Sequence, residues 1–293
     1  DAGFQHSVGL FETMIAKKGR TFRGEEHLNR LCESATQLRL TETLCKEPLL
    51  EALHLTLKEN NQKNARLRLT ITGGNLNLLQ SAGKTKHSDP TIVIQSQPLT
   101  QYPEAFFEKG THVSLASGRI NPYELGSGHK TINYWPKLLN LQLAAMHKCG
   151  EAIWLTPSAN VMGGCVSNIF IVKNNIIQTP IARGEENLED TPSAALPGIT
   201  RSAIIEVAEK MNLDVHKRSL ILDDVLGADE VFLTNSSWGV LPVVGVRAAT
   251  QEDEKPSVQE QSIGDGEVGE TSRRLLDAYN KIVEEETEKV FNA

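Results

Sequence analysis

Three stretches of the 293-residue chain combine residue types that can hold an anion or form a covalent bond. Gly198-Ile199-Thr200 opens a segment with helical spacing, and the backbone N–H groups and positive dipole end of a helix start make a phosphate cradle. The same tripeptide also serves as an ordinary helix cap. Lys130 stands in GSGHKTINY, after a Gly-rich stretch and before a helical pattern, where an amine can line the wall of an interdomain cleft. A solvated lysine is the plainer reading. Arg30, in HLNRL, falls between Leu28 and Leu31. Its guanidinium can lie at the core edge, or its stem can cover apolar surface with the head in water. Together the three converge on one anionic cofactor.

Periodicity gives the elements that must position these groups. Leu10 to Ala16 is strand-like, with a turn at Gly19 and Arg20. Leu28, Leu31, Ala35 and Leu38 recur at helical spacing, and a second amphipathic helix starts at Pro48 with Leu49, Leu50, Leu53 and Leu57. Strands are predicted over Arg66–Thr72, Thr91–Gln97 and His112–Ser117, with a polar Gly/Asn/Ser stretch between the first two. Residues 118–128, rich in Gly, Pro and Asn, read as an interdomain linker between a domain of residues 1–117 and one of residues 129–293.

In the second part, residues 131–149 form a long helical pattern. Short strands are predicted at Ala152–Thr156, Asn168–Lys173 and Ile176–Thr179, then a loop over Ala182–Ala195 and a helix over Thr200–Met211. Val215–Ser219, Glu230–Thr234 and Leu241–Val246 supply further strands, Thr250–Gly269 an acidic mobile loop, and Thr271 to about Val290 a terminal helix. Strands outnumber helices and arrive partly as hairpins, which predicts two α+β domains. No GxGxxG follows a strand, so a dinucleotide fold has no support.

Net charge is -7 with no basic stripe, which argues against nucleic acid or an anionic membrane surface as main partner. No run of about 18 apolar residues occurs, so no transmembrane helix is expected. Cys32, Cys45, Cys149 and Cys165 form no CxxC pair, so no metal site or disulfide framework is expected. That cysteine usage and the lack of a signal-peptide pattern at the start predict a cytoplasmic protein. The tryptophans Trp135, Trp154 and Trp238 read as packing residues, Cys165 as a small buried hydrophobe, and Glu284–Glu288 as a solvated helix face. His129 stands where it can tune Lys130 or lie in an exposed loop.

Six segments, in order, carry a resemblance: DAGFQHSVGLFETM, HLNRLCESATQLRL, GHKTINYWPKLL, SNIFIVKNNIIQTP, LPGITR and EVFLTNSS. With them the chain resembles the fold-type IV, class IV pyridoxal-phosphate enzymes: branched-chain and D-amino-acid aminotransferases and aminodeoxychorismate lyase. The resemblance runs from Asp1 to about Val246. It implies a smaller N-terminal α/β sandwich, a larger C-terminal domain with a pseudo-barrel sheet, and a homodimer. It implies that Lys130 is the Schiff-base lysine for pyridoxal 5'-phosphate. Arg30, the backbone of Ile199 and Thr200, and the Ser236 hydroxyl would bind the phosphate. Phe11 and Ser237 would face the substrate pocket.

The implied reaction is amino-group transfer between a small amino acid and a 2-oxo acid. Lyase chemistry on aminodeoxychorismate is the alternative, because the spacing from Lys130 to Asn133 is nearer the lyase and D-amino-acid branches. Lysine forms a reversible imine only when neutral, so burial or a cationic neighbour is expected beside it.

One position departs from the family. Counting back from Asn168, the family has a glutamate that bonds the pyridine nitrogen, and here Gly163 stands in its place. That departure keeps a third reading open, a cofactor-binding protein with weak or lost catalysis, and predicts that Gly163→Glu raises the rate. Ser7-Val8 also replace a Gly-Asp pair common in the family.

Overall fold

The computed structural model describes residues 1–75, 90–187, 189–252 and 255–288, without the side chains of 249–258. Most of the predicted polar stretch between Thr72 and Thr91 and the last two residues of the predicted terminal helix lie outside the described residues. The chain divides into two compact units. The first comprises residues 1–100, 129–134 and the chain from Ile282, and the second comprises 101–128 and 135–281.

The first unit opens with α1 (Ala2–His6), β1 (Gly9–Lys17), β2 (Arg20–Thr21), α2 (Gly24–Gln37) and α3 (Lys46–Glu59). β3 (Ala65–Thr72) and β4 (Thr91–Pro98) complete an antiparallel sheet of order β2-β1-β3-β4. Along β3, Ala65, Leu67, Leu69 and Ile71 are buried while Arg66, Arg68, Thr70 and Thr72 take the other face, as a period of two requires. The buried face packs on Leu28, Leu31 and Ala35 of α2 and Leu49, Leu53 and Leu57 of α3. Each fully buried leucine contributes about 1.5–3 kcal/mol. α3 starts two residues before Pro48, which the first turn tolerates because its N–H groups have no intrahelical partner anyway. Ser7 adopts a left-handed conformation, φ 56°, as the C-cap of α1, the kind of position a glycine fills at least strain.

The second unit contains α4 (Ala105–Glu108), β5 (Thr111–Arg119), α5 (Trp135–Met146), β6 (Glu151–Leu155), β7 (Val161–Gly164), β8 (Asn168–Lys173) and β9 (Ile176–Thr179). α6 (Ile199–Lys210), β10 (Val215–Lys217), α7 (Leu222–Leu226), β11 (Glu230–Asn235), β12 (Gly239–Glu252) and β13 (Lys255–Ser262) follow, and α8 (Glu270–Glu288) ends the described chain. Nine strands form one mixed sheet of order β10-β9-β8-β11-β12-β5-β6-β7, with β13 also on β12. Val113, Ile153, Ile169, Ile171, Val231 and Leu233 are among its core residues. The fold is α+β.

Four sequence expectations change. β5 hydrogen-bonds to β12 and β6, so the second sheet claims residues that the division after Ser117 left with the first domain. The segment predicted as a helix from residue 131 is not helical before Trp135. Instead Thr131 bridges Leu10, Phe11 N donates to Lys130 O (2.9 Å), and Ile132 N donates to Gly9 O (3.0 Å). β-Branched Thr131 and Ile132 favour this extended pairing, and Pro136 suits the first turn of the helix that follows. Gly9 leaves room on both sides, since a Cβ there would lie 3.0 Å from Ile132 Cδ1 of this segment and 2.5 Å from Ile71 O of β3.

The expected loop after Thr250 is largely a hairpin, β12 pairing β13 from Gly245↔Ser262 to Glu252↔Lys255. Its mostly polar sequence carries no hydrophobic alternation by which to recognise strands. Finally, the Glu284–Glu288 face is not simply solvated. Glu284, Glu286 and Glu288 pair with Lys17, Arg23 and Lys18.

Candidate active site

Three of the sequence-predicted residues lie in the first unit. The bridged segment holds Lys130 beside β1, half-buried, with Nζ 4.3 Å from the centroid of the Phe11 ring. Phe11 is buried and meets Tyr134 edge-on at 5.2 Å. The Arg68 guanidinium lies 3.8 Å from the same Phe11 centroid and donates from Nε to Thr70 Oγ1. Two cations thus contact one ring, and such contacts contribute about 0.5–2 kcal/mol each. His129 is buried rather than looped into solvent, its Nδ1 2.9 Å from Ser34 Oγ of α2, which anchors the start of the segment.

Arg30 sits at the core edge, 9% exposed, not in water. Its Nε and Nη2 donate to the two carboxylate oxygens of Glu12, at 2.8 and 2.6 Å, and His27 Nδ1 lies 2.7 Å from Glu12 Oε2. Burial alone would raise the Glu12 carboxyl, but the Arg30 charge and His27 outweigh it and bring it down to about 2. Burial pushes His27 below its ordinary value against the pull of Glu12, with Arg30 and Lys130 adding to the effect. The cluster is thus one carboxylate, one guanidinium and one neutral imidazole.

The other four predicted residues lie in the second unit. Ile199 and Thr200 begin α6, and no side chain caps that helix start. Their N–H groups have no intrahelical acceptor. Asn168 Nδ2 donates to Leu196 O, and a Cβ on Gly198 would lie 2.0 Å from Asn168 Oδ1, so only glycine lets the LPGITR turn close on β8. Thr234, opposite Asn168 in the β8–β11 register, has a buried hydroxyl with no hydrogen-bond partner among the described residues. An uncapped helix start with an orphaned hydroxyl on the neighbouring strands fits an anion with several acceptor oxygens, such as a phosphate monoester. Ser236 and Ser237 lie on the β11–β12 turn, where Asn235 Oδ1 accepts from Ser237 N and Trp238 N. α6 itself is locked by Arg201, 1% exposed, whose guanidinium donates to both Glu185 oxygens and to Pro180 O.

Sequence reasoning missed Glu12, Arg68 and Glu151. A lone acid inside an apolar strand (LFETMIA, GEAIWL) is itself a signal, because a buried charge must be paired or hydrogen-bonded. Glu151 is fully buried and accepts from Ala152 N, Cys165 N, Val166 N and Ser167 Oγ at 3.0–3.1 Å. Burial pushes its carboxyl up against those donors. It holds the turn from Gly163 to Asn168, to which Asn235 Nδ2 also donates at Val166 O. Cys165 on that turn is buried, its thiol raised to about 12 by burial and the Glu151 charge, so it is inert.

The turn adds a stability cost to Gly163→Glu that bears on its expected gain in rate. Gly163 has φ +137°, and a Cβ there would lie 2.7 Å from Ser167 O. Any side chain is strained, so the substitution is expected to destabilise by about 1–3 kcal/mol. Thermal unfolding checks this. An unchanged midpoint would show that the backbone adapts.

The profile of the amino-transferase class IV family matches residues 9–246. A Methanocaldococcus jannaschii protein designated a branched-chain-amino-acid aminotransferase is 29% identical, over 96% of this chain and 89% of its own. The crystal structure of the Escherichia coli branched-chain aminotransferase superposes with a TM-score of 0.82 at 26% identity, covering 99% of this chain and 90% of that one. A Legionella pneumophila chain designated a 4-amino-4-deoxychorismate lyase shares the fold, with a TM-score of 0.76 at 21% identity over 96% and 93% of the two chains. With the profile running from β1 into β12, the chain belongs to the class IV aminotransferase family.

Proposed function

We propose that the chain transfers an amino group between a small amino acid and a 2-oxo acid, using pyridoxal phosphate, the cofactor of class IV aminotransferases. Lys130 would hold the cofactor through its amine. Arg30, the Ile199 and Thr200 backbone and the Ser236 hydroxyl hold the phosphate, and Phe11 and Ser237 face the substrate. The observation that carries the reading is the Lys130 segment. It pairs with β1 and sets the amine 4.3 Å from the centroid of the Phe11 ring, a ring that Arg68 also contacts. A neutral amine is the form that attacks an aldehyde. Once displaced by substrate, the Lys130 amine can take and return the proton at the substrate α-carbon. The bound cofactor supplies the electron sink.

Branched-chain amino acids are the first donors to test, given the relatives found. Mixed with the cofactor-loaded protein, they are expected to convert its visible absorbance from the aldehyde form to the amine form. Gly163 offers the pyridine nitrogen no acid, so the half-reaction is expected below about 10 per second, the median for enzymes. Pyruvate release from aminodeoxychorismate without amination would assign the lyase reaction, for which the Lys130–Asn133 spacing speaks. Silence toward both substrates, with the cofactor bound, would leave a cofactor-binding protein.

A further inference from the structure

Arg30 lies buried at the core edge on α2. Its guanidinium is fixed by two parallel N–H···O bonds to Glu12, one from Nε and one from Nη2. A fork of this kind sets both the position and the plane of the group, so the direction of every remaining N–H is set with it. Glu12 is itself immobilised. It is 1% exposed, stands on β1 opposite Leu69 in the register, and has one oxygen engaged by His27 Nδ1. His27 and Arg30 are one turn apart on α2, so strand and helix are tied through a single carboxylate.

We infer that Glu12 is a positioning residue for cofactor binding: it holds Arg30 in the one orientation from which the guanidinium serves the phosphate. The inference rests on the assignment of Arg30 to the phosphate made above. Glu12 touches no cofactor atom in this scheme and acts through Arg30 alone. Its charge also offsets that of Arg30, so the device trades net attraction for fixed direction. An arginine held in advance loses little freedom on binding, whereas a free one must be ordered by the ligand. The proximity of Lys130, whose charge is felt at His27, places this cluster beside the proposed imine.

The discriminating quantity is the preference for phosphorylated cofactor, the ratio of the pyridoxal Kd to the pyridoxal phosphate Kd. It cancels changes in the imine and ring contacts, which both ligands share. It is to be measured for the wild type, Arg30→Ala, Glu12→Gln and the double variant. Arg30→Ala is expected to lower the ratio roughly ten- to a hundredfold, the loss of a charge-assisted contact. Glu12→Gln is expected to lower it about tenfold, with no further loss in the double variant. Should Glu12→Gln not fold, Glu12→Asp is read the same way, since it keeps the charge and breaks the two-point fork. A ratio unchanged in Glu12→Gln while Arg30→Ala lowers it would overturn the inference and leave the Arg30 assignment standing. A ratio raised in Glu12→Gln would overturn it too, by showing that charge outweighs direction. A ratio unchanged in Arg30→Ala would overturn the assignment of Arg30 and the inference with it.

Discussion

Lys130→Ala is expected to lower amino-transfer at least about a thousandfold, the scale of losing a positioned acid–base, and to abolish the imine. The fold should survive. Lys130 is half-buried in a bridged segment held by main-chain bonds at Phe11 and Ile132, and its ring contact is worth about 0.5–1 kcal/mol. Lys130→Arg separates the two roles of the side chain. It keeps a cation over the Phe11 ring yet forms no imine, so it should be as inactive as the alanine variant and closer to wild type in stability. Borohydride reduction followed by peptide mapping should mark the peptide containing Lys130. The informative competitor is Lys137, which burial pushes below the ordinary lysine value against the pull of Cys165 and Glu151. Label on Lys137, or near wild-type turnover by Lys130→Arg, would end the assignment.

Glu151→Ala should be the most destabilising of the substitutions considered. Three backbone N–H groups and the Ser167 hydroxyl lose their shared, fully buried acceptor. Stranding buried donors costs about 1–3 kcal/mol each when none can relax. Relaxation of the turn limits the total to about 3–5 kcal/mol, the range for deleting one partner of a buried ionic group. A loss of that size lowers the unfolding midpoint by roughly 10 °C or more. Glu151→Gln should cost less, because one oxygen still accepts while the new amide faces N–H groups. A midpoint within 2–3 °C of wild type for the alanine variant, about 1 kcal/mol, would mean that water replaces the carboxylate.

The parts of the fold that packing periodicity dictates were legible. β1, α2, β3, β8, β9 and α6 follow from apolar spacing that buries one face, or both, and β4 from its β-branched run. Lys130 and Arg30 were legible because reactive or cationic residues stood at unusual places, after a Gly-rich stretch and between core leucines. Their partners were not. Nothing near Glu12 in sequence says that residues 27 and 30 will meet it, and apart from Ala152 the donors to Glu151 lie 14–16 residues away. The non-helical course of Lys130 to Ile132 was hidden for the same reason, since its partner strand comes 120 residues earlier. Gly163 looked like an absence in the sequence, and the structure makes it a requirement of a positive φ.

The discontinuity of the first unit bears on how the chain is made. Its sheet is encoded in the first 100 residues, but residues 129–134 and the acidic end of α8 belong to it as well. At ribosomal rates of about 5–20 residues per second, the final pieces emerge on the order of ten seconds after β4. Until residues 130–132 arrive, the Gly9–Phe11 edge of β1 shows unpaired main-chain groups, a template onto which another nascent chain can add. The strip that carries Lys130 therefore also seals an edge, and the step that first brings the amine to Phe11 is the one that removes a route to aggregation.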